Sequence, residues 1–516
     1  MSASSTAEDL QVLVEPLPLT SVHASRVHVW TSLGIAVAVL TLACVPSFIK
    51  LIYYPDYPGS DDAFIHLAIV KNLREGLGWG INPNQHSNLS SSPLFDLSMW
   101  AITALGAEDI GGGKSLSALC AIGMLILVFL TARRLSASLG FAFLALGFAA
   151  FNVHLWRWNG TVMETTMACL LLMLFYHQHC GLERGGLRHA LKLGFLAGLA
   201  SLCRFECMLC VPLVIVEWHI WQRVKRQSIT MAFLAGFGSL LLPWMAFSKL
   251  YFGSFLPTTF HAKAGGLYFF NATVLRQLAS VVFSAYGFAL VFIVLAILLL
   301  IKHRDKNLSN SLEACFVPLG FSLLLAAFYY FKTASLQSAA RYYTLGLVSV
   351  PLMVAALAPC ARIAQRKVMT IGVAALTLHV ASTIYLNQSR VAPVLSSFSS
   401  NYWSAARDAS SFLRSRPAKS TVLIEVDIGM LSYYGDHAYQ IVDGGGLASP
   451  EMQGLDLKSR ISRVKPQFVV ETLGPSSFHL ASQYPELKPL WSRSFRGHSV
   501  GFPGDTYYLN VYQERN

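Results

Sequence analysis

A polytopic α-helical membrane protein carrying a small C-terminal α/β domain is what this sequence predicts, on three observations. Charged residues are 13% of the chain and hydrophobic residues 54%, with a mean hydropathy of +0.49. An ordinary globular chain carries about 25% charged residues. Apolar stretches long enough to cross roughly 30 Å of hydrocarbon recur from Val29 to Leu386. The tail from Asn387 to Asn516 contains none, and its pattern changes to short mixed segments.

Taken in order, residues 1–28 are slightly acidic and form a cytoplasmic tail. The first apolar run, Val29 to Ile49, is too long and too deep for a signal peptide. A polar stretch from Pro55 to Ser92 opens the first outer loop, 55–112. Within that loop Pro93–Leu105 has too few apolar residues to cross and suits a helix lying in the interface. Ten further spans follow near 114–132, 139–155, 161–178, 189–203, 207–222, 229–248, 281–301, 313–331, 343–359 and 369–386, about eleven in all. Basic clusters at Arg133/Arg134, Arg184/Arg188, Arg223/Lys225/Arg226, Lys302/Arg304/Lys306 and Arg362/Arg366/Lys367 then share one side. The positive-inside rule makes that side cytoplasmic, with the N-terminus inside and the C-terminus outside. The membrane domain is 29–386. The outer domain, 387–516, shows a helix-like NYWSAARDASSFLRS and strand-like TVLIEV, PQFVVETL and TYYLNVY.

The net charge of +12 sits in those short loops, so it implies no nucleic-acid partner. Cys207 and Cys210 form a C-x-x-C inside an apolar stretch, where thiols serve as small apolar filler.

Chemistry is expected in the outer loops, where ionisable residues at the membrane edge are costly and functional. Asp61 and Asp62 precede apolar positions Phe64, Leu67, Ala68 and Leu73 at near-helical spacing, as in a helix lying on the membrane. Capping that helix accounts for one carboxylate and leaves the other to accept a proton from a hydroxyl. Glu164 stands at the outer end of a span. Arg204 and Glu206 share a tight turn, where an Arg–carboxylate pair would stitch helices and line a cavity. His261 and Lys263 lie in one outer loop, Lys332 and Arg341 in another. Cations there run against the positive-inside bias and argue for an anionic ligand. A transporter or flippase is the rival class. It would show internal repeats and interrupted helices, and neither is found.

The first loop with Asp61-Asp62, followed by AFIHLAIVKNLREGLG and SSSPLF, resembles the GT-C superfamily of integral membrane glycosyltransferases. Met163–Thr165, Arg204–Glu206, FLPTTFHAK at Phe255–Lys263, ARYY at Ala340–Tyr343 and DIGMLSYYGDHAYQIVDGGGLASPEM sharpen the match, over roughly 56–452. Together they resemble the branch of the mycobacterial terminal arabinofuranosyltransferases. The resemblance implies a polyprenyl-phosphate sugar donor, decaprenyl-phospho-arabinofuranose in the arabinan enzymes, and transfer with inversion to an acceptor hydroxyl of an envelope glycan. The first-loop acid acts as base, which maps onto Asp61 with Asp62 beside it. Lys263 and Arg341, with His261, fall at positions that hold the carrier phosphate. Two departures stand out: Arg204-Phe205-Glu206 replaces the family's Arg-Pro-Glu, and Pro257-Thr258-Thr259 replaces Pro-Asn-Thr. The first loop has no Asp-x-Asp, and no His/carboxylate cluster shows ligand spacing. Catalysis is therefore expected to need no cofactor, with a divalent metal left open.

Overall fold

The computed structural model describes residues 19–180, 186–220, 227–259, 271–302, 313–332, 339–358, 365–497 and 506–514. The helices of the first half are α1 (Leu19–Tyr53), α2 (Asp61–Arg74), α3 (Pro93–Ala104), α4 (Asp109–Ser136), α5 (Leu139–Ala150), α6 (Val153–Trp158), α7 (Thr165–His179), α8 (Gly186–Cys203), α9 (Cys210–Ile220) and α10 (Gln227–Phe252). They continue with α11 (Ala272–Lys302), α12 (Phe316–Lys332), α13 (Ala339–Leu347), α14 (Ser349–Ala356) and α15 (Gln365–Leu386). A helix or a broken pair of helices occupies each of the segments expected to span. Among the described residues four helical stretches are long and apolar enough to cross a membrane: Asp109–Ser136, Gln227–Phe252, Ala272–Ile301 and Gln365–Arg414. α3 has 12 residues, about 18 Å of helix, well short of the hydrocarbon thickness.

Helix packing follows from small residues. A Cβ on Gly194 would sit 1.9 Å from the Phe233 carbonyl oxygen, and one on Gly236 would sit 2.1 Å from that of Leu191. Only glycine lets α8 and α10 approach so closely. Gly194 meets Phe233 and Phe237 while Gly198 meets Phe237 and Leu240, so the two helices run parallel, with α9 as the return between them.

Two buried lysines close helix ends. Lys50 Nζ donates to the carbonyls of Trp156 (2.5 Å), Arg157 (2.8 Å) and Asn159 (2.6 Å) at the end of α6. Lys114 Nζ donates to those of Lys50 (3.0 Å), Tyr54 (2.5 Å) and Pro55 (3.0 Å) at the end of α1. Terminal carbonyls lack intrahelical partners and carry the negative end of the helix dipole, which explains ammonium groups in so buried a place.

Past Leu386 the helix continues through a π turn at Asn387–Val391 into α16 (Ala392–Phe398), and α17 (Tyr402–Arg414) follows. Then come β1 (Ser420–Ile424), α18 (Gly429–Gly435), β2 (Tyr439–Asp443), α19 (Leu457–Val464), β3 (Phe468–Gly474), α20 (His479–Gln483), β4 (Leu487–Arg496) and β5 (Thr506–Glu514). They form one sheet in the order β2-β1-β3-β5-β4. β2, β1 and β3 are parallel, and β5 is antiparallel to both β3 and β4. Interior β1 is apolar on both faces: Val422 and Ile424 join one core and Leu423 another. The free edge of β2 is covered by the segment between α2 and α3. Asn82 Oδ1 accepts from Ile441 N–H and Asn82 Nδ2 donates to Ile441 O, each at 2.8 Å, as a neighbouring strand would.

One structural finding changes the expected picture of α2. Its apolar face does not lie on lipid. Phe64, Leu67 and Val70 are completely buried in a core shared with α17, α18 and the sheet. Covering that face with protein removes it from water as fully as a membrane would, so the amphipathic pattern alone does not distinguish the two.

Candidate active site

Asp61 and Asp62 open α2 and part company at once. Asp61 turns to the C-terminal domain, where Oδ2 accepts from Gly429 N–H at 2.7 Å and Oδ1 from Met430 N–H at 2.8 Å. It caps α18 rather than its own helix. A Cβ on Gly429 would stand 2.1 Å from the Asp61 carbonyl oxygen, so glycine is what allows the approach. Asp427 lies just upstream with φ +54°, its Oδ2 accepting from Tyr402 Oη at 2.8 Å. Burial, then the charge of Asp427, pushes the Asp61 carboxyl well above the usual range. Burial likewise raises Asp427, to about 6.

Asp62 turns the other way. Its Oδ2 is 2.5 Å from Arg341 Nη2, and its side chain is 38% exposed. Arg341, on α13, is itself buried; Nη2 also donates to Tyr342 Oη at 2.6 Å, and among the described residues Nε has no hydrogen-bond partner. Arg341 and Arg204 each stack on the Tyr342 ring, at 4.6 and 5.0 Å from its centroid.

Glu164, Arg204 and Glu206 come together beside this pair. Arg204 Nη1 donates to Glu164 Oε1 at 2.5 Å, and Arg204 Nη2 pairs with Glu206 Oε1. Glu206 Oε1 also accepts from Tyr329 Oη at 2.5 Å. The expected Arg–carboxylate stitch is thus present, joining the heads of α7 and the turn before α9 to α12. His261 and Lys263 lie outside the described residues.

Sequence reasoning missed His66, Asp96, Tyr329, Tyr342, Asp427 and Tyr402. His66 was legible only as one residue of an amphipathic helix, although it follows Asp62 by one turn and so shares its face. Thr258, one of the departures from the family pattern, spends its hydroxyl on the carbonyls of Asn88 and Leu447, and its N–H donates to Asn88 O at 2.8 Å. Thr258 therefore ties together three segments far apart in the sequence. Among the described residues no group of three or more His, Cys, Asp or Glu is arranged to hold a metal ion.

The fold that brings these arginines and carboxylates together is that of the GT-C superfamily of membrane glycosyltransferases. A family model described as dolichyl-phosphate-mannose-protein mannosyltransferase matches residues 90–247. ArnT from Cupriavidus metallidurans in the apo state is similar over 93% of this chain and 98% of its own, with a TM-score of 0.58 and 11% identity. Its undecaprenyl phosphate-bound form gives 0.56 and 10%, over 93% of this chain and 97% of its own. Mycobacterial arabinofuranosyltransferase AftD is similar over 93% of this chain but 40% of its own length, with a TM-score of 0.56 and 14% identity. The resemblance to GT-C enzymes, the arabinofuranosyltransferase branch included, thus holds in the fold. No curated protein matches the sequence.

Proposed function

We propose that the chain is an inverting glycosyltransferase that moves a sugar from a polyprenyl-phosphate carrier to an acceptor hydroxyl of a cell-envelope glycan or glycoconjugate. It would sit as a multi-pass protein of the inner membrane, with domain 387–516 and the site on the outer side. The observation that carries this is the Asp62–Arg341 pair, in which a buried guanidinium keeps an unused Nε donor beside a partly exposed carboxylate.

Arg341 is the phosphate ligand in this scheme, with Lys263 and His261 joining from their loop. Its two-pronged geometry suits a phosphate oxygen pair, and Arg204 adds positive charge from across the Tyr342 ring. A carrier phosphate that draws Arg341 toward itself weakens the guanidinium's hold on Asp62. The carboxylate then becomes more basic when donor is bound. Asp62 takes the acceptor hydroxyl proton as the oxygen attacks the anomeric carbon. The bond from that carbon to the phosphate oxygen breaks, and its electron pair leaves on the polyprenyl phosphate, stabilised by the arginine. Asp61, fully engaged with α18, acts as a clamp rather than as the base. Arabinofuranose is the first sugar to try, since AftD is an arabinofuranosyltransferase.

The test is transfer by the full chain in lipid from a panel of polyprenyl-phosphate sugars to crude envelope glycan. Asp62→Asn should lower transfer by two or more orders of magnitude. Wild-type rates in both Asp62→Asn and Arg341→Met would remove both residues from the chemistry.

A further inference from the structure

His66 stands one turn after Asp62 on α2 and is enclosed on both ring nitrogens by acids. Nδ1 is 2.5 Å from Asp96 Oδ1, on α3, and Nε2 is 3.5 Å from Glu164 Oε2, at the head of α7. Phe95 packs edge-on against the ring at 5.2 Å. The charged groups facing His66 are thus Asp96 and Glu164, with Arg204 behind Glu164. A neutral imidazole has one N–H and would turn a lone pair toward one of these carboxylates, whereas the imidazolium donates to Asp96 and presents its second N–H to Glu164 as an ion pair at 3.5 Å. Asp96 is fully buried, and among the described residues no Lys or Arg pairs with it. A buried carboxylate without a charged partner costs several kcal/mol on the order-of-magnitude scale for isolated ions. Burial by itself would push the His66 pKa down, but the charge and hydrogen bond of Asp96, reinforced by Glu164, carry it up to about 10.

The cluster's charge balance depends on this residue. Carboxylates Asp62, Asp96, Glu164 and Glu206 are met by Arg204 and Arg341, with His66 as the third cation. Without the imidazolium, Glu164 and Asp96 would draw on the arginines that an incoming phosphate needs.

We propose that His66 is a positioning residue of the donor site, held as an imidazolium between Asp96 and Glu164 so that Arg204 and Arg341 stay available to a lipid-linked phosphate. This rests on the polyprenyl-phosphate function proposed above.

The experiment measures undecaprenyl phosphate affinity of the full chain in lipid nanodiscs from pH 6 to 9. It compares wild type, Arg341→Met, His66→Gln, Asp96→Asn and the His66→Gln/Asp96→Asn double variant. Arg341→Met is expected to bind at least tenfold more weakly; wild-type binding there would overturn the phosphate site itself and this proposal with it. His66→Gln should lose about tenfold at every pH. Asp96→Asn should bind nearly as wild type at pH 6 and fall toward the His66→Gln level by pH 8, because an imidazole that keeps only Glu164 against its burial titrates far lower than one held by both carboxylates, toward its ordinary value of about 6.5. The double variant should show no such step. A weakened Arg341→Met combined with wild-type affinity in His66→Gln, or with no pH step in Asp96→Asn, would overturn the proposal alone. Histidine nitrogen NMR of the wild type decides the matter if a variant fails to fold. A His66 signal doubly protonated from pH 6 to 8 supports the assignment, and a neutral tautomer in that range refutes it.

Discussion

Replacing Asp61 by asparagine separates a clamp from a base. The carboxylate accepts two backbone N–H bonds at 2.7 and 2.8 Å, one per oxygen. Asparagine has one acceptor oxygen, and its amide would face the second N–H, so one bond is lost and a backbone donor is left unsatisfied. Leaving such a donor unsatisfied costs about 1–3 kcal/mol. A loss of about 2 kcal/mol in local opening corresponds to roughly thirtyfold faster amide exchange wherever opening is local. Hydrogen exchange on peptides covering Gly429–Gly435 is the assay, and Asp61→Ala, losing both bonds, should exchange faster still. Transfer should fall only modestly in Asp61→Asn, since Asp62 is untouched. Unchanged exchange at α18 together with a hundredfold loss of transfer would refute the reasoning and return the base to Asp61.

Gly429→Ala places a methyl 2.1 Å from the Asp61 carbonyl oxygen, a backbone atom that cannot yield without moving α2. About 1–3 kcal/mol of destabilisation is expected, read as a lower melting temperature with weaker transfer. Asp427 holds its proton up to about pH 6, against 3.8 ordinarily. At this group the folded state therefore binds more protons than the unfolded state between those values, and its contribution to stability falls as pH rises from about 4 to 6; Asp61, also raised by burial, adds a fall of the same sign. The drop from Asp427 is at most about 3 kcal/mol at roughly 1.4 kcal/mol per pKa unit. Asp427→Asn should flatten this fall and raise the melting temperature at pH 8. Lys50→Met leaves three carbonyls without their donor. At about 1 kcal/mol each, some 3 kcal/mol should be lost in a thermal melt, while exposed Lys249→Met should change little.

Much of the helical architecture was legible because hydrocarbon thickness acts on the sequence directly. The apolar runs at 114–132 and 229–248 lie inside α4 and α10. Buried β1 and β3 were visible as TVLIEV and PQFVVETL. The strands that escaped, β2 and β4, are the two sheet edges. β2 is finished by Asn82, and β4 carries Pro489 beside a register shift, so neither has the apolar repeat of an interior strand. Within the site, Asp62, Arg341, Glu164, Arg204 and Glu206 stood out as charges in apolar surroundings. Which of two adjacent aspartates faces the arginine could not be seen locally, because it is decided by Gly429, 368 residues downstream. His66 and Asp96 became a pair only when α2 and α3 were folded together.

That distance also sets a timetable for synthesis. At about 5–20 residues per second, the interval between making α2 and making α18 is tens of seconds. Throughout it Phe64, Leu67 and Val70 lack the surface that finally buries them, and Asp61 has no amides to cap. The start of α2, and with it the seat of Asp62, is secured only when the last quarter of the chain arrives. A chain cut short before β1 would keep α1–α15 and both arginines and still lack the amides that fix the start of α2.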